Sequence, residues 1–174
     1  TNRDPYFRQY NAGKQSIALD LQADADRAIF ERLLARADVL LENYRPGVME
    51  RLGYGWDTLH AAHPRLVYGA VSGFGHSGPD AGKPAYDMVV QARGGVMAIT
   101  GEEGGPLVRV GASIGDIVAG MYLAQGVLAA LYDREKTGKG AKVDVAMLDA
   151  QLAIQEHAVA IASATGIPPG RTGA

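Results

Sequence analysis

Hydrophobic and polar positions alternate along the chain in short blocks of two different periods. Ser16-Ile17-Ala18-Leu19-Asp20-Leu21 predicts a short strand. From Ala23 to Ala37 the apolar residues Ala28, Ile29, Leu33 and Leu34 fall on one face, which predicts a helix with Asp24 as its cap. Asp38-Val39-Leu40-Leu41-Glu42 is a continuous apolar strand, and the Pro46-Gly47 pair makes 43–47 a loop. Two short helices, 48–52 and 56–62, lead to a third strand over 65–71. Residues 72–84 are rich in glycine and proline and irregular. The apolar run 85–99 reads as a helix broken at Gly94-Gly95, and 101–105 as a turn. The strongest element is 117–135, where Ile117, Met121, Gln125, Leu128 and Leu131 recur at helical spacing. Its other face is also largely apolar, which predicts burial all round. A fourth strand over 142–145 and a last helix over 147–164 complete the pattern. Apolar strands alternating with helices predict an α/β fold: an open, mostly parallel, Rossmann-like sheet flanked by helices on both faces.

Composition narrows the chemistry. The chain has 174 residues, enough for one domain with a core, and 47% are hydrophobic. A net charge of -2 leaves no electrostatic footprint for nucleic acid or an anionic membrane. No stretch is an uninterrupted apolar run of ~18–20 residues, the length of a membrane span. The absence of cysteine excludes disulfides, thiolate catalysis and cysteine metal sites. A cytoplasmic location fits this composition. The polar start and the IPPGRTGA end read as cut points, so an internal piece of a longer chain is expected. Glycine, at 23 residues, is well above the ~7% average and suggests tight turns or close backbone approach.

Gly73-Phe-Gly75-His-Ser-Gly78 has the spacing of a dinucleotide fingerprint and follows a strand. That motif requires a helix to open at once, and Pro79, Gly82 and Pro84 prevent it, so a glycine-rich loop is the better reading. His60 and His63 lack the carboxylate or histidine partners of a metal site, and no metal is expected. His76 is either a ligand contact or a surface histidine. Arg45 and Arg51 flank the loop after the second strand, where open sheets bind ligands and arginine suits phosphate, or else they are simply solvated. Asp116 precedes the long helix. It reads as a helix cap or as a carboxylate that the helix dipole keeps ionised for attack on an acyl group. Asp149 is the rival position.

Several segments together resemble the class III coenzyme A transferases, the family of formyl-CoA transferase and carnitine CoA-transferase. They are residues 13–21, 38–47, 65–75, Ala-Tyr-Asp-Met-Val-Val-Gln-Ala at 85–92, Ile-Gly-Asp at 114–116 and Lys-Thr-Gly-Lys-Gly at 136–140. The resemblance implies that Asp116 is a nucleophile that carries the acyl group as an aspartyl anhydride and CoA as an aspartyl thioester. It implies CoA contacts from Leu19, Asp20, Leu21 and Gln22, from Asn43, Tyr44 and Arg45, and from Arg51, with Tyr86 as an active-site tyrosine. Lys83 stands for a phosphate-binding lysine, one residue further from Tyr86 than the family pattern. The implied partners are acyl-CoA and carboxylic acid substrates, with no permanently bound cofactor. The chain would be part of the large domain of a homodimeric, interlocked enzyme, lacking the first strand and the small domain. The related alpha-methylacyl-CoA racemases carry a histidine where Tyr86 stands, so transfer is favoured over racemisation. A non-catalytic nucleotide-binding or assembly domain is the third reading.

Overall fold

A computed structural model describes residues 4–171 and 173, and the chain divides into two compact units, Thr1–Ala35 and Arg36–Ala174. The first unit contains α1 (Pro5–Asn11) and α2 (Asp24–Leu34). Asp4 caps α1 by accepting the Tyr6 amide at 2.9 Å. The predicted strand over 16–21 does not form: the segment is irregular, pairs with no strand among the described residues, and ends in a turn. A four- to six-residue apolar pattern becomes a strand only when a ladder partner satisfies its amides. Asp24 does not cap α2 either, because the cap position falls on Ala23 and Asp24 is the first helical residue. Asp26 instead reaches back to accept the Asp20 amide at 2.7 Å.

The second unit is built on three parallel strands, β1 (Val39–Glu42), β2 (Val67–Ser72) and β3 (Lys142–Ala146), in the order β1-β2-β3. Val39 is in register with Val67, and Tyr68 with Lys142. The strands are joined by α3 (Val48–Arg51) and α4 (Trp56–Ala62), then by α5 (Asp87–Arg93), α6 (Val96–Ile99) and α7 (Ile114–Thr137). After β3 come α8 (Met147–Ala153) and α9 (Glu156–Thr165), so the single predicted last helix is broken between Ala153 and Glu156. Gly94 and Gly95 divide α5 from α6 as the sequence indicates, with Gly95 at a φ of 85°.

α7 lies along one face of the sheet, where Val67 packs with Leu123, Val127 and Ala130. Val90, Ala119, Met147 and Ala150 form a second core joining α5, α7 and α8. On the opposite face Tyr68 is fully buried and its ring lies 6.2 Å from that of Trp56 of α4. Helix α7 is long and apolar enough to cross a membrane by length and composition, but it is the helix that packs the sheet. The expectation of burial all round is corrected: only one stripe is covered, and Met121, Leu128 and Tyr132 stand exposed. A single sheet can cover only one side of a helix. At its far end, buried Arg134 ties α7 to the sheet, bonding Asp38 Oδ1 at 2.9 Å and the Arg65 carbonyl at 3.1 Å.

Candidate active site

Parallel sheets bind ligands beyond the carboxyl ends of their strands. There the second unit has an open cleft of about 760 Å³. Asn43, Tyr44, Arg45 and Pro46 come from the loop after β1, Val71 to Gly73 from the end of β2, and Met147 from the end of β3. Lys83 to Asp87 form another wall, and Asp116 and Gly120 of α7 complete it. The tertiary fold thus brings Asn43, Tyr44, Arg45, Lys83, Tyr86 and Asp116 to one place. Leu19, Asp20, Leu21 and Gln22 belong to the first unit, where Asp20 Oδ1 accepts the Gln22 amide at 2.9 Å in the turn before α2. Arg51 does not line the cleft; its guanidinium packs beside Gly47. Asp149 lines a separate small hollow with Tyr122 and Asp144.

Helix α7 begins at Ile114, three residues earlier than the sequence suggested, so Asp116 is in its first turn and Ser113 takes the cap position. The capping reading of Asp116 is therefore corrected. What holds Asp116 is the packing of its neighbour. A Cβ on Gly115 would stand 2.6 Å from Val90 Cγ2 and 3.0 Å from Asp87 Oδ1, so only glycine lets α7 approach α5 this closely. The Gly115 amide donates to Asp87 Oδ1 at 2.8 Å, and Asp87 Oδ2 accepts from Gln91 Nε2 at 2.9 Å. Gln91, fully buried, uses its Oε1 to accept the Val110 amide at 2.8 Å. From α8, Gln151 Nε2 donates to the Ile114 carbonyl at 3.2 Å. The Asp87 and Gln151 bonds fix the first turn of α7 from two sides, α5 and α8.

Asp87 is the residue that sequence reasoning missed. Its signal was present in the carboxylate at the start of a helix with a glutamine four residues on, a spacing that brings the two side chains together. The pKa of Asp116 is raised above the ordinary carboxylate value, first by partial burial at the cleft and second by the negative charge of Asp87. This opposes the expected effect of the helix start. A carboxylate raised in this way is less well solvated, hence more basic and more nucleophilic once ionised.

The remaining polar groups are cationic or neutral. Lys83 lines the cleft while paired with Asp80 at 2.5 Å, and Asp80 also bonds Arg93. Those two cations, Lys83 first, hold the Asp80 carboxyl below its usual range. Tyr86 is 74% exposed and presents its ring and hydroxyl to solvent at the cleft. Among the described residues no group of three or more histidine, aspartate or glutamate side chains is placed to hold a metal ion. His60 stacks on Trp56, with ring centroids 4.5 Å apart.

A parallel α/β sheet with a polar cleft at its carboxyl edge, and a carboxylate poised on a flanking helix, defines a Rossmann-like ligand-binding domain. The chain belongs to CoA-transferase family III, whose family model matches residues 1–174. It is 50% identical over 169 residues to an acetyl-CoA:oxalate CoA-transferase of Acetobacter aceti, covering 97% of this chain and 43% of that protein. It is 42% identical to a succinyl-CoA:mesaconate CoA-transferase of Haloarcula hispanica, with the same coverage of each. Among solved structures it resembles a CAIB/BAIF family protein from Brucella suis, with a TM-score of 0.88 and 35% identity over 91% of this chain and 42% of that one. The chain therefore spans less than half the length of the relatives it matches.

Proposed function

We propose that the protein containing this chain transfers CoA from an acyl-CoA to a carboxylic acid, with Asp116 as the nucleophile. The observation that carries this reading is the cleft itself. It joins Asp116 to the Asn43–Arg45 loop, Lys83 and Tyr86, the positions that the family resemblance assigns to CoA. The names of the relatives, acetyl-CoA:oxalate and succinyl-CoA:mesaconate CoA-transferase, support the reaction class.

In the proposed sequence an Asp116 carboxylate oxygen attacks the thioester carbonyl carbon. The C–S bond breaks, leaving an aspartyl mixed anhydride and CoA thiolate. The thiolate attacks the aspartyl carbonyl and expels the donor as its carboxylate, which gives an aspartyl-CoA thioester. The acceptor carboxylate then attacks that thioester, and the released thiolate attacks the acceptor carbonyl of the new anhydride. A new acyl-CoA leaves and the Asp116 carboxylate is restored. One thioester is exchanged for another, so no external energy source is needed. Excluding water protects the anhydride from hydrolysis.

Incubating the full-length protein with acyl-CoA and hydroxylamine tests this directly. The expected result is an aspartyl hydroxamate at residue 116 in the peptide map. Asp116→Asn is expected to abolish transfer while CoA still binds; an active Asp116→Asn enzyme would sink the assignment. Deuterium exchange at the α carbon of the acyl group without acid exchange would instead favour the racemase-type reading.

A further inference from the structure

Behind the cleft wall, on the sheet face away from α7, lies a polar cluster that the proposed chemistry does not use. Its centre is Glu42, the last residue of β1, with only 9% of its surface exposed. Glu42 Oε2 accepts the Tyr44 amide at 2.7 Å. Glu42 Oε1 accepts the Tyr68 hydroxyl at 3.0 Å and lies 3.4 Å from Nε2 of His76. His76 belongs to the glycine-rich loop after β2. Its amide donates to Asp144 Oδ2 at 3.0 Å, and its Nδ1 is 3.2 Å from Lys142 Nζ. Burial and then the Glu42 carboxylate push the Tyr68 hydroxyl far above its usual pKa, so it stays a donor to Glu42.

A buried carboxylate is costly unless its oxygens are satisfied. Here one oxygen is committed to the backbone of a cleft loop. Tyr44 is more than half exposed, and the other bond to this loop is from the Val48 amide to the Arg45 carbonyl at 3.1 Å, at its far end. We infer that Glu42 is a positioning residue: it fixes the Asn43–Pro46 wall of the cleft through the Tyr44 amide, and so sets the affinity for the CoA substrate without taking part in the chemistry. Asp116 is held independently, by Asp87 and Gln151 on α5 and α8. A loosened loop after β1 therefore weakens binding and leaves the attacking carboxylate in place. His76 of the loop after β2 lies beside the same carboxylate, but its Nε2 makes no hydrogen bond there.

The inference rests on the cleft being the CoA site. The test uses the full-length protein, with amide hydrogen exchange at Tyr44 and calorimetric CoA binding as separate readouts. In the wild type the Tyr44 amide is expected to exchange at least about tenfold more slowly than an open loop amide, the protection of one charge-assisted bond. Glu42→Met fills the same space without an acceptor. It is expected to lose that protection and raise the KM for acyl-CoA by about tenfold, with kcat changed less than about twofold on the same reasoning. Glu42→Gln can still accept from the Tyr44 amide and should recover most of the affinity. A Tyr44 amide that is unprotected in the wild type overturns the inference whether or not Glu42→Met folds. So does a Glu42→Met enzyme whose loss falls on kcat with KM unchanged. A wild type that protects the Tyr44 amide yet binds no CoA overturns the CoA reading of the cleft, and the inference with it.

Discussion

Replacing Asp87 by asparagine probes how the fold holds Asp116. The native carboxylate accepts two bonds, from the Gly115 amide at 2.8 Å and from Gln91 Nε2 at 2.9 Å. Asparagine keeps one oxygen for Gly115 but turns an NH₂ toward the Gln91 NH₂. Gln91 has no free rotation to offer, because its Oε1 holds the Val110 amide at 2.8 Å. One charge-assisted bond is lost and two donors are left facing each other, which costs about 2–3 kcal/mol. The preserved bond to Gly115 keeps the loss from being larger. The variant has a second, electrostatic effect. Burial and then Asp87 raise the pKa of Asp116, so removing the Asp87 charge lowers it partway while the burial contribution stays. Urea unfolding of both proteins gives the first quantity, and an NMR titration of the Asp116 carboxyl gives the second. A stability loss within about 0.5 kcal/mol, the range of an ordinary surface change, would refute the network. So would an Asp116 titration that does not move.

Two further outcomes follow from the same geometry. Because the folded pKa of Asp116 is raised, the native state holds a proton longer than the unfolded chain, and stability declines as pH rises from the ordinary carboxylate value through the raised one. Asp116→Asn removes that decline. It should unfold at a higher urea concentration than the wild type at pH 7 and match it at pH 3, and a lower midpoint at pH 7 would contradict the sign. Gly140→Ala places a Cβ 2.0 Å from the Leu66 carbonyl oxygen, a backbone clash that must displace the start of β3. It should cost about 3 kcal/mol, read as a lowered midpoint of thermal unfolding; a loss below about 1 kcal/mol would show that the strand start yields freely.

The hydrophobic pattern by itself determined β1, β2 and β3 and the helices between them to within a few residues, because each is strongly patterned. The glycine pair itself marked the break at Gly94-Gly95. Arg45 and Asp116 were legible as candidates from their types and positions, and Asn43, Tyr44, Lys83 and Tyr86 only through the family resemblance. Their meeting in one cleft was decided by the parallel register that aligns the strand ends. Tertiary packing also decided what the pattern misjudged. Residues 16–21 have strand-like alternation, but no strand among the described residues pairs with them, so they stay irregular. The apolar circumference of α7 implied complete burial, yet one sheet covers one stripe. Gly115 stood in the sequence only as part of the Ile-Gly-Asp segment. Only the contact with Val90 and Asp87 gives the reason for it, since a close approach between two helices leaves no trace in the period of either.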